Sequence, residues 1–244
     1  MAPVQATEDR LFDGRLLLRQ LPKGHYRTNA DALLLAAFGA HCQGEGSAPV
    51  AVDLGAGVGP VGLALLWKNR AERVLFVEVD PEAAQLAQEN LDANGWSHRG
   101  DVRTCSADEI AASHRGCADI VLCNPPYFEA GTGRPAKDPQ KARARSGHLA
   151  EFVRATRALL GRRGKGCFVY PARDLLRLMA ELRTVGLEPK RLRFVHPTAE
   201  DGARVALVEA RAAKPGGLDV EKPLVERTQG IYTEEMQRIL SGSP

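Results

Sequence analysis

The sequence predicts a doubly wound α/β fold: a mostly parallel, seven-stranded sheet with an antiparallel terminal strand, preceded by a short N-terminal hairpin and helix extension. Three observations predict it. Short β-branched runs alternate with helical stretches along most of the 244 residues. Two of those runs end in abrupt corners, Asp53-Leu54-Gly55-Ala56-Gly57 and Asn124-Pro125-Pro126-Tyr127. The last two runs are joined by Pro197-Thr198-Ala199-Glu200-Asp201-Gly202. A parallel crossover takes about a dozen residues or more, so this link reads as an antiparallel connection.

Taken in order, Leu11 to Arg19 reads as a hairpin and Asn29 to His41 as an apolar helix, with a Gly/Ser-rich link from Gln43 to Pro49. Strands are expected near 50–54, 73–78, 101–105, 118–123, 164–170, 189–196 and 204–211. Helices are expected near 60–70, 81–94, 147–161 and 172–185. Pro60 and Pro81 fall at first-turn positions, where a missing N–H costs nothing, and Asp80 before Pro81 reads as an N-cap.

Composition narrows the function classes. At 44% hydrophobic residues the chain can bury a substantial core. No apolar run approaches the roughly 18 residues of a membrane span. The first residues lack a basic start and an apolar stretch, which argues against export and makes the cytoplasm the expected compartment. Cysteines at 42, 105, 117, 123 and 167 form no C-x-x-C pair. They read as reduced thiols, and neither a disulfide framework nor a metal site is expected.

The chemistry concentrates at the two corners. Val50-Ala51-Val52-Asp53 runs into a glycine turn and then a helix, so a ligand can approach the backbone closely. The next strand ends in Glu78, at about the 20-residue spacing where a dinucleotide fold binds ribose hydroxyls. Gly57-Val58-Gly59-Pro60-Val61-Gly62 also satisfies the G-x-G-x-x-G pattern of nicotinamide enzymes, which is weak taken alone. The strand before it ends in Asp53, whose carboxylate repels a pyrophosphate and attracts a cation; the same residue also suits a turn cap. At the second corner, two prolines stop the strand and turn its last carbonyls and Asn124 outward beside the flat face of Tyr127. Acceptors next to an aromatic face suit a planar group bearing an amino substituent, such as a nucleobase.

Together, the two corners resemble a class I S-adenosylmethionine-dependent methyltransferase acting on an amino nitrogen, with a Rossmann-like methyltransferase fold. Gly24-His25-Tyr26-Arg27-Thr28-Asn29-Ala30-Asp31-Ala32-Leu33-Leu34-Leu35-Ala36-Ala37-Phe38, Asn124 through Gly131, and Gly230-Ile231-Tyr232-Thr233-Glu234-Glu235-Met236 extend the likeness to the tRNA1(Val) adenine N6-methyltransferase family. The chain departs from that family at Asn29-Ala30-Asp31, where a glycine is expected close to the acid. The likeness divides the chain into an extension, 1–49, and a methyltransferase domain, 50–244.

The resemblance implies S-adenosyl-L-methionine as cofactor and RNA, most simply tRNA, as partner. Gly55 and Gly57 then admit the methionine portion, with Asp53 and Asp31 near its positive groups. Glu78 binds the ribose, Val79 packs on the adenine, and Asp108 accepts from the adenine amino group. Asn124 and the Pro125 carbonyl accept from the substrate amine, and Tyr127 stacks on the extruded base with Phe128 in support. Between Gly131 and Gly166 stand Arg134, Lys137, Lys141, Arg143, Arg145, Arg154, Arg157, Arg162, Arg163 and Lys165 against Asp138 and Glu151. A basic rim of this kind suits phosphate contacts. Other functions stay open: an rRNA adenine or guanine amino methyltransferase, a protein glutamine methyltransferase, or a non-catalytic RNA-binding module on the same fold.

Overall fold

The computed structural model describes residues 6–22, 30–41, 48–125 and 149–243. A hairpin of β1 (Thr7–Leu11) and β2 (Leu16–Gln20) precedes helix α1 (Ala30–His41). The βα units that follow are β3 (Ala48–Leu54), α2 (Pro60–Trp67), β4 (Ala71–Glu78), α3 (Pro81–Ala93), β5 (Gly100–Thr104) and α4 (Ala107–Ser113). Then come β6 (Ala118–Cys123), α5 (Leu149–Leu159), β7 (Leu160–Pro171), α6 (Leu175–Thr184), β8 (Glu188–His196) and β9 (Val205–Arg211). Four two-residue strands, β10 (Asp219–Val220), β11 (Leu224–Val225), β12 (Arg227–Thr228) and β13 (Ile231–Tyr232), lead to helix α7 (Glu234–Ser241).

The main sheet runs β10, β8, β9, β7, β6, β3, β4, β5, with β11 also paired to β8. The seven expected strands are all present, and β9 is antiparallel to both β7 and β8 while the other principal pairs are parallel. Alternation of side chains puts Ala51, Val74, Phe76, Ile120, Leu122 and Val169 on one face and Val52, Leu54, Val77, Val121, Phe168 and Val208 on the other. The first face is covered by α1, α2, α3 and the hairpin, the second by α4, α5 and α6.

The chain enters the sheet at its centre with β3, steps outward to β4 and β5, and returns to β6 on the opposite side of β3. Strand order therefore reverses between β3 and β6. At such a switch point the outgoing loops diverge and leave a crevice at the carboxyl ends of the strands.

Several boundaries differ from the sequence expectation, each for a local reason. The hairpin starts at Thr7 rather than Leu11 because residues 7–11 pair in full register with 16–20. Helix α2 stops at Trp67, not 70: Asn69 takes a left-handed φ of 50° and Arg70 N–H returns to the Leu65 carbonyl at 2.9 Å. Helix α4 was not expected; a reciprocal capping box between Ser106 and Glu109 closes its first turn. Strand β7 extends back to Leu160, which pairs with Ala118 across a bulge. Residues 172–174 form a 3-10 turn before α6.

The hairpin is fastened to α3 by two asparagines. Asn90 accepts from Arg19 N–H (2.7 Å) and donates to the Arg19 carbonyl (3.0 Å), while Asn94 does the same with Leu17 (3.0 and 2.8 Å). Residues i and i+4 of a helix stand about 6 Å apart, close to the i, i+2 repeat of a strand. The two side-chain amides thus act as a surrogate neighbouring strand and cover the free edge of β2. Asn90 also donates to the Val58 carbonyl at 2.9 Å, which ties the hairpin to the glycine turn after β3.

Candidate active site

Register places the site residues side by side. Leu54 of β3 pairs with Val77 of β4 and with Cys123 of β6, so Gly55, Glu78 and Asn124 emerge as neighbours from three adjacent strands. Asn124 and Pro125 are the last described residues after β6, partly and fully buried respectively; Tyr127, Phe128 and the basic residues from Arg134 to Arg145 lie outside the described residues.

The glycine turn is stabilised from below. Gly55 and Ala56 N–H both donate to the Val77 carbonyl at 2.9 Å. Gly55 has a φ of +75°, and a Cβ there would meet Phe152 of α5 at 2.8 Å, so the ring of α5 forms the floor under the turn. Gly57, at φ +55°, has nothing within 4 Å of where a Cβ would stand. A left-handed backbone beside open space is what a ligand needs in order to lie against the main chain.

Asp53 is 2% exposed, and its Oδ2 accepts from Gly62 N–H at 2.8 Å. Gly62 is in the first turn of α2, so the carboxylate takes up an amide that a pyrophosphate-binding helix would leave for its ligand. That contact shows that Asp53 caps the turn. Burial raises its pKa from 3.8 to about 7; the Gly62 hydrogen bond opposes the rise and the charge of Glu78 adds to it. No cation among the described residues pairs with it.

Glu78 accepts three backbone amides: Gly57 N–H on Oε2 (2.7 Å), and Val79 and Asp80 N–H on Oε1 (2.8 and 2.9 Å). Two carboxylate oxygens offer about four acceptor positions, so one remains for a ligand hydroxyl. Burial raises its pKa, against those three amides. Val79 beside it leaves 48% of its surface exposed, an apolar plate next to that carboxylate. Asp80 caps α3 through Glu82 N–H at 3.0 Å, as expected.

Two other expected residues stand in unexpected company. Asp31 is buried in the first turn of α1 and pairs with Arg204 at 2.7 Å, which in turn binds Glu226 at 2.6 Å. Asp108 lies in the first turn of α4 rather than in a bare turn, and its carboxylate is 3.5 Å from Arg154 of α5. Cys123, next to Asn124, is fully buried, and burial with Asp53 nearby holds its thiol well above the usual range. It is a packed thiol, unsuited to nucleophilic work.

Sequence reasoning missed Asn90, Phe152 and Arg204, all of which support the site from other elements. Asn90 alone left a trace: an amide between Leu86, Ala87 and Leu91, within the buried stripe of α3.

A central strand ending in a buried acid and a glycine turn, with a second acid on one side and an Asn-Pro corner on the other, defines the Rossmann-like methyltransferase class. Solved structures share this architecture. A "predicted O-methyltransferase" from Agrobacterium tumefaciens has a TM-score of 0.67 at 22% identity, over 87% of this chain and 96% of that one. The T. Thermophilus 16S rRNA N2 G1207 methyltransferase, in complex with AdoMet and guanosine, has a TM-score of 0.61 at 20% identity, over 86% of this chain and 50% of that one. Residues 28–169 match the methyltransferase small domain model, more than half of the sequence, and the chain belongs to that family. It is also similar to the tRNA1(Val) (adenine(37)-N6)-methyltransferase of Shewanella sediminis strain HAW-EB3, 26% identical over 78% of this chain and 82% of that protein. The enzyme of the same description from Shewanella amazonensis is 29% identical over 85% and 87%.

Proposed function

We propose that this chain is an S-adenosyl-L-methionine-dependent N-methyltransferase that modifies the exocyclic amine of a nucleobase in RNA, namely N6 of an adenosine in tRNA. The observation that carries the reading is the convergence of Asp53, Gly55, Gly57, Glu78 and Asn124 at the carboxyl ends of β3, β4 and β6. The named tRNA adenine-N6-methyltransferase relatives support the choice of substrate.

The residues present suit this cofactor. Gly57 opens onto free space, Glu78 keeps an acceptor for a ribose hydroxyl, and Val79 offers an apolar plate for the adenine. Asp53 is a buried acid with no cationic partner among the described residues, and a positively charged ligand would complete it. Asp31 is held by Arg204, and in this reading Asp108 accepts from the adenine amino group once its contact with Arg154 loosens. When bound, S-adenosyl-L-methionine supplies an electrophilic methyl on a sulfonium.

The chain's own contribution is orientation and electrostatics. The Asn124 side-chain oxygen and the Pro125 carbonyl accept from the substrate NH2, aim its lone pair at the methyl donor and stabilise the positive charge that develops on nitrogen. Tyr127 stacks on the extruded base, an interaction of ~1 to 3 kcal/mol. No side chain forms a covalent intermediate, in keeping with the buried state of Cys123. Among the described residues no helix is long and apolar enough to cross a membrane. The cytoplasm, where tRNA is found, is the proposed compartment.

Mass spectrometry of nucleosides from tRNA incubated with and without the enzyme tests the proposal. N6-methyladenosine gained in tRNA supports it. Methyl transfer confined to rRNA, or to a glutamine side chain of a protein, refutes the assigned substrate.

A further inference from the structure

We propose that the open groove between α4 and α5 tracks the phosphate backbone of the substrate RNA on its way to the site; this rests on the RNA-methylating reading above. The two helices lie next to each other on one face of the sheet, and each follows a strand whose carboxyl end borders the crevice. Both therefore start at the site end and run away from it.

The groove between them, about 550 Å³, is lined by Arg115, Gly116, Arg154, Arg157, Ala158 and Val185. Arg154 and Arg157 are three residues apart on one helix and so share a face, with Cβ atoms about 5–6 Å apart. Arg115 stands opposite, just past α4. All three are exposed, as are Arg162 and Arg163 at the start of β7.

Counter-charge is scarce here. Among the described residues the one acid paired with any of these five arginines is Asp108, 3.5 Å from Arg154 at the site end of the groove. Glu109 turns back to its capping box with Ser106. Among the described residues, Arg115, Arg157, Arg162 and Arg163 make no side-chain hydrogen bond or ion pair. Surface arginines that merely stabilise a fold are usually paired or laid along apolar surface; unpaired guanidinium forks facing one another across a groove match the bidentate geometry of a polyanion's phosphates. Most of its lining stands at the amino ends of β6, β7 and β8, the far end of α4 and α5 from the residues that receive the base, and an RNA running along the two helices past Arg154 would occupy both. An RNA backbone is thus the partner whose charge and continuity fit.

The test uses the full chain, saturated with S-adenosylhomocysteine, and a tRNA transcript that the wild-type enzyme methylates. Equilibrium binding is measured across a range of salt for wild type and for the double variant Arg115→Gln/Arg157→Gln. Each lost phosphate contact should reduce the slope of log K against log salt by about 0.7 to 0.9, so the double variant should lose roughly 1.5. Its KM for tRNA should rise about tenfold or more, with kcat at saturating tRNA and the cofactor Kd both within twofold of wild type. A slope and KM equal to wild type overturn the proposal, as does loss of cofactor binding in the variant, which would mark these arginines as structural. Binding of wild type to anionic vesicles that the double variant loses while its tRNA binding is intact would assign the groove to a membrane surface instead. A wild-type enzyme that methylates no tRNA fails the functional reading itself, a result distinct from any of these.

Discussion

Replacing Asn90 by alanine tests the coupling between the N-terminal hairpin and the cofactor turn. The side chain is fully buried and makes three hydrogen bonds, to Arg19 N–H, the Arg19 carbonyl and the Val58 carbonyl. The two Arg19 groups are partly exposed and recover water, so each bond lost there costs about 1 kcal/mol. The Val58 carbonyl is buried and left without this donor, at a further ~1 to 3 kcal/mol. A total near 3 to 5 kcal/mol lowers Tm by roughly 6 to 20 °C in a domain of this size. Asn94→Ala, which loses three bonds at a half-buried edge, from Leu17 N–H and to the Leu17 and Asn90 carbonyls, should cost less, about 2 to 3 kcal/mol. Asn90→Asp should be at least as damaging as alanine, since a carboxylate would face two carbonyls. Thermal melts of the three variants measure this, with cofactor titration of Asn90→Ala expected to show severalfold weaker binding. An Asn90→Ala protein that melts within 2 °C of wild type refutes the reasoning.

Three further outcomes follow from the site. The folded pKa of Asp53, about 7, lies above its reference of 3.8, so in the window between them the folded form holds a proton that the unfolded form has lost. This residue's contribution to stability therefore falls as pH rises through that window, and is lowest above 7. Binding of a cationic cofactor needs the ionised acid, so Kd should fall about tenfold from pH 6 to pH 8, and Asp53→Asn should flatten the profile; an unchanged slope in the variant removes Asp53 from the site. In Gly62→Ala the new Cβ would lie 2.3 Å from Phe76 and 2.9 Å from Val74, an overpacking of ~1 to 3 kcal/mol visible as a lower denaturation midpoint. Gly57→Ala meets no atom within 4 Å and should fold with only ~1 to 2 kcal/mol of backbone strain, yet bind cofactor more than tenfold more weakly; equal affinity would place the ligand elsewhere.

Most of the sheet was legible because its strands are buried on both faces and so appear as β-branched runs, as in Val50-Ala51-Val52 and Ile120-Val121-Leu122. The antiparallel terminal pair was legible from a link too short for any crossover. Helix α4 escaped because seven residues are too few for a periodic signal, although the Ser106-Ala107-Asp108-Glu109 spacing is a capping box. The end of α2 at Asn69 carried a readable mark as well, an asparagine suited to the left-handed turn. By contrast, β10 and β11 owe their existence to pairing with β8, and no local propensity announces a two-residue strand. The site divides similarly. Asp53, Glu78 and Asn124 stand at strand ends where their spacing is diagnostic. Asn90, Phe152 and Arg204 reach Val58, Gly55 and Asp31 from other elements, and Asp31 and Asp108 acquire their arginines only through tertiary packing.

The account turns on Asn124 accepting from the substrate amine while the cofactor is held by its neighbours on β3 and β4. Calorimetric cofactor binding and single-turnover methyl transfer, measured together on Asn124→Ala, separate those roles. The predicted result is a Kd within about threefold of wild type with transfer reduced at least a hundredfold, near 3 kcal/mol of transition-state stabilisation. Transfer at the wild-type rate, or a collapse of cofactor affinity, would contradict it.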